Sequence, residues 1–169
     1  MHMLNTLLTS KWYWLGLLLL GVVMEGTALF YQYQLGEEPC QVCIHIRIWV
    51  AAFTLVALPM CLLPQKLYLD IPAHLLVIVS MAGLLERSWY LYQVENGSGE
   101  GSCEFYLGFP EWFALDKWFP WMFEVRNLCS YTPELPLGVS MVEGNLAVAC
   151  IMLLVGVYAL FFTVQNRGC

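Results

Sequence analysis

Four stretches of the chain, about 14–31, 44–63, 71–92 and 146–164, are almost continuously apolar, and polar residues gather between them and at the ends. Each approaches or reaches the roughly 20 residues that a helix needs to cross the hydrocarbon core of a bilayer. The pattern predicts an all-α membrane protein: a four-transmembrane-helix bundle forming one domain over 1–169, with loops at about 32–43 and 94–143 on one side. The first stretch is expected to be retained rather than cleaved. It is long, carries Glu25, and lacks the small-x-small site of a secretory signal.

Composition points the same way, with 60% of residues hydrophobic and 12% charged, well outside the range of soluble domains. Lys11, Lys66 and Arg167 fall on one side of the predicted membrane, Lys117 and Arg126 on the other. A positive-inside vote of three to two predicts both termini and the Lys66 loop in the cytoplasm. The loop at 94–143 and the Cys40 region then face an oxidising compartment. The net charge of −6 comes mostly from acidic residues of the outer loops, and it gives no reason to expect nucleic acid as a partner.

The run Pro39-Cys40-Gln41-Val42-Cys43 stands where the first outer loop enters the second apolar stretch. A Cys-x-x-Cys pair at the first turn of a helix lies where the dipole and free backbone N–H groups stabilise a thiolate, the form that attacks disulfides. Four of the seven cysteines, Cys40, Cys43, Cys103 and Cys129, fall on the outer side. Exported thiols oxidise, so two disulfides are expected. Three pairings are open to four cysteines, with Cys40–Cys43 plus Cys103–Cys129 the first choice. Cys61 and Cys150 lie within spans, where a lone cysteine usually packs as a small hydrophobe, and Cys169 ends the chain.

Arg47 follows Cys43 by four residues and so shares its helix face. It would favour a thiolate and could donate to a carbonyl oxygen of a planar acceptor. Glu25, Glu86 and Arg87 also sit inside spans, in the halves nearer Cys43, where a buried charge costs roughly 2.5–3.5 kcal/mol on insertion scales and needs a partner. Glu25 with Arg87, or Glu86 with Arg47, are the expected pairs, and these groups are candidates to shape or protonate a site beside Cys43. The run 96–102, rich in Gly and Ser, reads as a mobile arm delivering Cys103. The stretch Phe109 to Trp121, dense in aromatics and holding Pro110 and Pro120, reads as a short helix lying on the bilayer as an anchor.

These residues together resemble the DsbB family of bacterial disulfide bond formation proteins. The resemblance rests on Glu25-Gly26-Thr27-Ala28-Leu29, Pro39-Cys40-Gln41-Val42-Cys43-Ile44 with Arg47, Cys103-Glu104-Phe105, Phe109-Pro110-Glu111-Trp112 through Leu115-Asp116-Lys117-Trp118, and Cys129. It covers nearly the whole chain. It implies an inner-membrane enzyme that reoxidises a periplasmic DsbA-like thiol oxidase and passes the electrons to ubiquinone or menaquinone. It further implies that Cys103 forms the mixed disulfide with the partner and that Cys129 is its mate. Cys40 would exchange with that loop pair, Cys43 would lie against the quinone, and Arg47 would hold it. Glu25, Glu86, Arg87 and Tyr92 are further candidates for the quinone pocket. Two departures stand out. Val142-Glu143-Gly144 follows Leu137-Gly138-Val139-Ser140-Met141 where the family has a proline and an aromatic. Tyr92, Gln93 and Glu95 occupy the region where the family often has a histidine.

Other readings are weaker. A zinc or copper site would recruit His45 to the Cys-x-x-Cys, but structural zinc takes four ligands and no second close pair exists; no metal is expected. A scaffold stapled by disulfides leaves the Cys43–Arg47 face unexplained. A vitamin K epoxide reductase-like quinone reductase shares a four-helix bundle with a Cys-x-x-Cys. The short chain, the place of Cys40 and Cys43 after the first span, and the Phe109 to Trp121 stretch argue against it.

Overall fold

The computed structural model describes residues 10–64, 66–97, 106–129, 132–135 and 138–167. Cys103, most of the Gly- and Ser-rich run before it, and Cys169 lie outside the described residues. Four long helices dominate: α1 (Lys11–Gln34), α2 (Gln41–Leu62), α3 (Leu67–Glu95) and α4 (Met141–Arg167). Even α2, the shortest at 22 residues, rises about 33 Å, enough for a hydrocarbon core of about 30 Å. All four are long and apolar enough to cross a membrane.

Each helix is longer than the apolar stretch that announces it, and at the starts of α1 and α4 a polar side chain caps the added turn. Ser10 Oγ accepts the Trp12 N–H at the start of α1. At the start of α4, Ser140 Oγ accepts the Glu143 N–H at 3.2 Å while the Glu143 carboxylate accepts the Ser140 N–H at 3.0 Å. This is a reciprocal capping box, and it gives Glu143 a local role where the sequence departs from the DsbB pattern. At the other end of α1, residues 32–34, expected in a loop, are helical, and Gln32 is buried.

The helices pack in chain order, α1 on α2, α2 on α3 and α3 on α4. Two of these contacts depend on glycine. A Cβ at Gly21 of α1 would overlap the Thr54 side chain of α2, and one at Gly83 of α3 would overlap the Trp49 indole. Close backbone approach at small residues is how membrane helices associate, since lipid is as apolar as the side chains themselves. One buried cluster runs through all four helices and includes Leu17, Phe53, Ala57, Val77, Met81, Leu84, Ala149 and Ala159. Leu19, Leu55, Leu76, Leu154 and Phe161 point outward and exposed, as faces turned to lipid would. Toward the Lys66 end, His74 is buried against Trp14, with ring centroids 4.8 Å apart, and lies 3.5 Å from Thr163 Oγ1.

The segment expected as one interfacial helix is instead three separate turns. A 3₁₀ turn at Glu111–Phe113 is followed by α-helical turns at Leu115–Trp118 and Pro120–Phe123. Phe119, at φ −134° and ψ 64°, breaks the chain direction because the Pro120 ring disfavours helical backbone in the residue before it. The aromatic character holds: Trp112, Trp118, Phe119 and Trp121 are exposed. Leu107 and Phe123 are buried against Ile44 of α2, which seats the segment beside the Cys40 end of the bundle.

Candidate functional site

Cys40 is the N-cap of α2, with extended backbone, and its Sγ accepts the Cys43 N–H at 3.2 Å. The Cys-x-x-Cys spacing thus places one sulfur at the cap and the other in the first turn, where a disulfide closes without disturbing the helix. Cys40 and Cys43 are joined, with Cα atoms 5.1 Å apart. Cys40 is nearly inaccessible, whereas Cys43 is half-buried.

A second strand of chain runs beside this cap. The backbone N–H groups of Arg126 and Asn127 donate to the Pro39 carbonyl at 3.0 and 3.3 Å, and Cys40 and Asn127 form a parallel β-bridge. Two residues further on, Cys129 is buried in the same apolar cluster as Cys40. Cys129 is disulfide-bonded. Cys61 and Cys150 are free.

Arg47 lies one turn below Cys43 and is buried. Its Nη1 donates to Gln32 Oε1 at 2.6 Å and to the Met122 carbonyl at 3.0 Å, and its Nη2 to the Ala28 carbonyl at 3.2 Å. One guanidinium therefore ties α2 to α1 and to the aromatic turns. Gln32 Nε2 and Tyr33 Oη donate to the Trp121 carbonyl, while His45 Nε2 lies 2.9 Å from the Leu107 carbonyl. Of the five N–H groups of a guanidinium, Nε–H and one Nη2–H keep no partner among the described residues.

Cys43 and Arg47 line a cavity of about 240 Å³. Its sides come from α1 (Met24, Glu25, Ala28) and α4 (Val142, Asn145, Val148), with α2 behind, and Pro39, Asn127 and Pro133 cover the Cys40 end. Tyr31 Oη donates to the Glu134 carbonyl at 3.0 Å, which holds the cover to α1. Glu25 faces this cavity, and neither of its carboxyl oxygens has a hydrogen-bond partner among the described residues, although both are buried.

The structure thus gathers Glu25, Cys40, Cys43, Arg47 and Cys129 at one end of the bundle. The expected partnerships of Glu86 and Arg87 need correction. They pair with each other at 2.8 Å, with both side chains substantially exposed, and do not line the cavity. Successive helix positions diverge by about 100°, so two adjacent charges cannot both face one site, and each is the other's nearest partner. Tyr92 stacks on Trp89 at 5.8 Å and is likewise absent from the cavity wall; Leu91 takes that place. Gln32, Asn145 and the Met122 carbonyl do not stand out in the sequence. An amide seven residues after Glu25, on the same face, is the available signal for Gln32, and a polar residue next to an apolar span the signal for Asn145.

Comparison with known proteins accords with this arrangement. The family model described as "Disulfide bond formation protein DsbB" matches residues 10–159. Disulfide bond formation protein B of Aeromonas hydrophila is 37% identical over 149 residues, 86% of either chain. Disulfide bond formation protein B 2 of Pseudomonas aeruginosa is 31% identical over 150 residues, covering 88% of this chain and 89% of that one. Disulfide bond formation protein B of Shewanella frigidimarina is 35% identical over 152 residues and 85% of each chain. A bonded cysteine pair capping a membrane helix, a second bonded cysteine beside it, and matches of this length lead to one assignment: the chain belongs to the DsbB family of disulfide bond formation proteins.

Proposed function

We propose that the protein is a thiol:quinone oxidoreductase that reoxidises a periplasmic DsbA-like dithiol oxidase and delivers the electrons to ubiquinone or menaquinone. The observation that carries this reading is the shared cavity, whose lining includes both a half-cystine, Cys43, and a buried cation with uncommitted donors, Arg47. A cavity of about 150 Å³ accepts benzene, so about 240 Å³ has room for a substituted six-membered ring. Arg47 and Cys43 would hold that ring, with Met24, Val142 and Val148 as apolar walls. When bound, a quinone supplies a two-electron, two-proton acceptor.

Cys103 receives the partner's thiolate and forms the mixed disulfide, with Cys129 as its resting mate. The reduced loop pair then passes its electrons to Cys40–Cys43 by thiolate attack through a second mixed disulfide. The Cys40–Asn127 bridge supports this exchange, since it brings the segment bearing Cys129 to the Cys40 cap. A partner near −120 mV is itself a strong oxidant, so the relay needs an acceptor of the quinone kind to run forward. Residues 1–169 act as a single domain in the bacterial inner membrane, with both termini cytoplasmic and the cysteine end periplasmic.

The test is quinone reduction by purified protein with a reduced DsbA-type donor. Turnover is expected in wild type and absent in Cys43→Ser and Cys103→Ser. Labelling of a cysteine introduced at the exposed Glu111 (Glu111→Cys) in spheroplasts by a membrane-impermeant maleimide tests the orientation. Turnover that survives Cys43→Ser would overturn the relay.

A further inference from the structure

We propose that Glu25 is the proton-transfer residue of the cavity, taking a proton released by the Cys40/Cys43 dithiol and handing it to the electron acceptor. The inference rests on the thiol:quinone reading above and adds a residue role to it. Glu25 sits on α1 within a membrane-spanning helix, where an ionisable side chain is expensive and calls for an explanation.

The structural explanation would be an ion pair with Arg47, the cation on the same cavity. The geometry argues against it. Arg47 feels the Glu25 carboxyl electrostatically, yet its hydrogen bonds go to Gln32 and to two backbone carbonyls, Ala28 and Met122. Both Glu25 oxygens are left buried without a hydrogen bond among the described residues. A carboxyl serving only to anchor α1 to α2 would take the strong charge-assisted bonds that Arg47 can offer. Instead it is aimed into the space that Cys43 also lines. A buried carboxyl without a hydrogen bond costs free energy, and that cost is intelligible where the group works on something bound there.

The chemistry needs such a group. Oxidation of the dithiol forms the Cys40–Cys43 bond and releases two electrons and two protons; the acceptor takes up two electrons and two protons. Glu25 gives its carboxyl proton to an acceptor oxygen and regains one from the dithiol, so it is unchanged over the cycle and the balance is kept. Glu37 and Glu38 also line the cavity, with the loop between α1 and α2, but they lie at its covered end rather than within a span.

The test compares wild type with Glu25→Gln, which keeps shape and polarity but cannot carry the proton, and Glu25→Asp, which can. Three readouts are taken: kcat and KM for the quinone, reduction of the loop cysteines by the donor, and the infrared difference spectrum on adding quinone to the oxidised protein. Expected for Glu25→Gln is a kcat lower by about 100-fold, the lower range for lost proton transfer. KM should stay within about threefold, with loop reduction unchanged. A carboxyl band should respond to quinone in wild type and vanish in Glu25→Gln, while Glu25→Asp recovers part of the rate. Unchanged kcat in Glu25→Gln, or a change in KM alone, overturns the role. If wild type itself fails to reduce quinone, the underlying reading fails instead, and the infrared band tells the two apart.

Discussion

Asn127 forms a parallel bridge with Cys40, and its N–H donates to the Pro39 carbonyl at 3.3 Å. This pairing carries Cys129 to the cap of α2. Asn127→Pro removes the N–H, a bond of about 0.5–1.5 kcal/mol, and should slow electron passage from the loop cysteines to Cys40–Cys43 by about threefold or more. Leu128→Ala, at an exposed neighbour, should leave it unchanged. Maleimide trapping and gel shifts during reduction by the donor measure the rate.

Arg47→Lys keeps the charge but loses the planar fork that reaches Gln32, Met122 and Ala28 at once. Arg47→Ala removes the donor from all three acceptors and leaves the buried Gln32 Oε1 without it, at about 1–3 kcal/mol for a buried group left unsatisfied. Thermal unfolding in detergent should fall in the order wild type, Lys, Ala. Trypsin should cut the Trp112–Trp121 segment faster at Lys117 in the alanine variant. Equal unfolding temperatures would show that the guanidinium does not hold the loop.

The paired charges on the outer face of α3 should be dispensable for turnover. Glu86→Gln and Arg87→Gln remove an exposed pair, whose contribution to stability in water would be about 0–1 kcal/mol. Quinone reduction should stay within about twofold of wild type. A tenfold loss in either variant would place these side chains in the reaction after all.

Glycine packing offers a test independent of redox chemistry. Gly21→Val puts a branched side chain where even a Cβ overlaps Thr54, whereas Gly16→Ala meets nothing within 4 Å. The first should lower the unfolding temperature, through strain of the 1–3 kcal/mol typical of overpacking; the second should not.

Much of this architecture is legible in the amino-acid sequence. The apolar runs disclose the four crossings because length alone separates a span from a buried helix, and the spacing of Cys40, Cys43 and Arg47 puts them on adjoining turns of one helix. Helix ends are less visible. Polar capping residues lengthen a helix without extending its apolar run, so Gln32 reads as loop and Glu143 as a departure from pattern. The three turns of the aromatic segment depend on the backbone of Ala114 and Phe119, which composition does not encode. For Glu86 and Arg87 the sequence shows two charges inside a span, but which way each faces is set by how α3 packs on α2 and α4.

Packing in chain order leaves α1 and α4 as the two ends of a row, and the cavity lies between them at the Cys40 end. The chamber's opposite walls come from helices that are not close-packed on each other, so the cover formed by Pro39, Asn127 and Pro133 closes the gap between them at that end. That cover is continuous with the strand leading to Cys129, so the roof of the cavity and the approach to the Cys40–Cys43 disulfide are built from the same few residues.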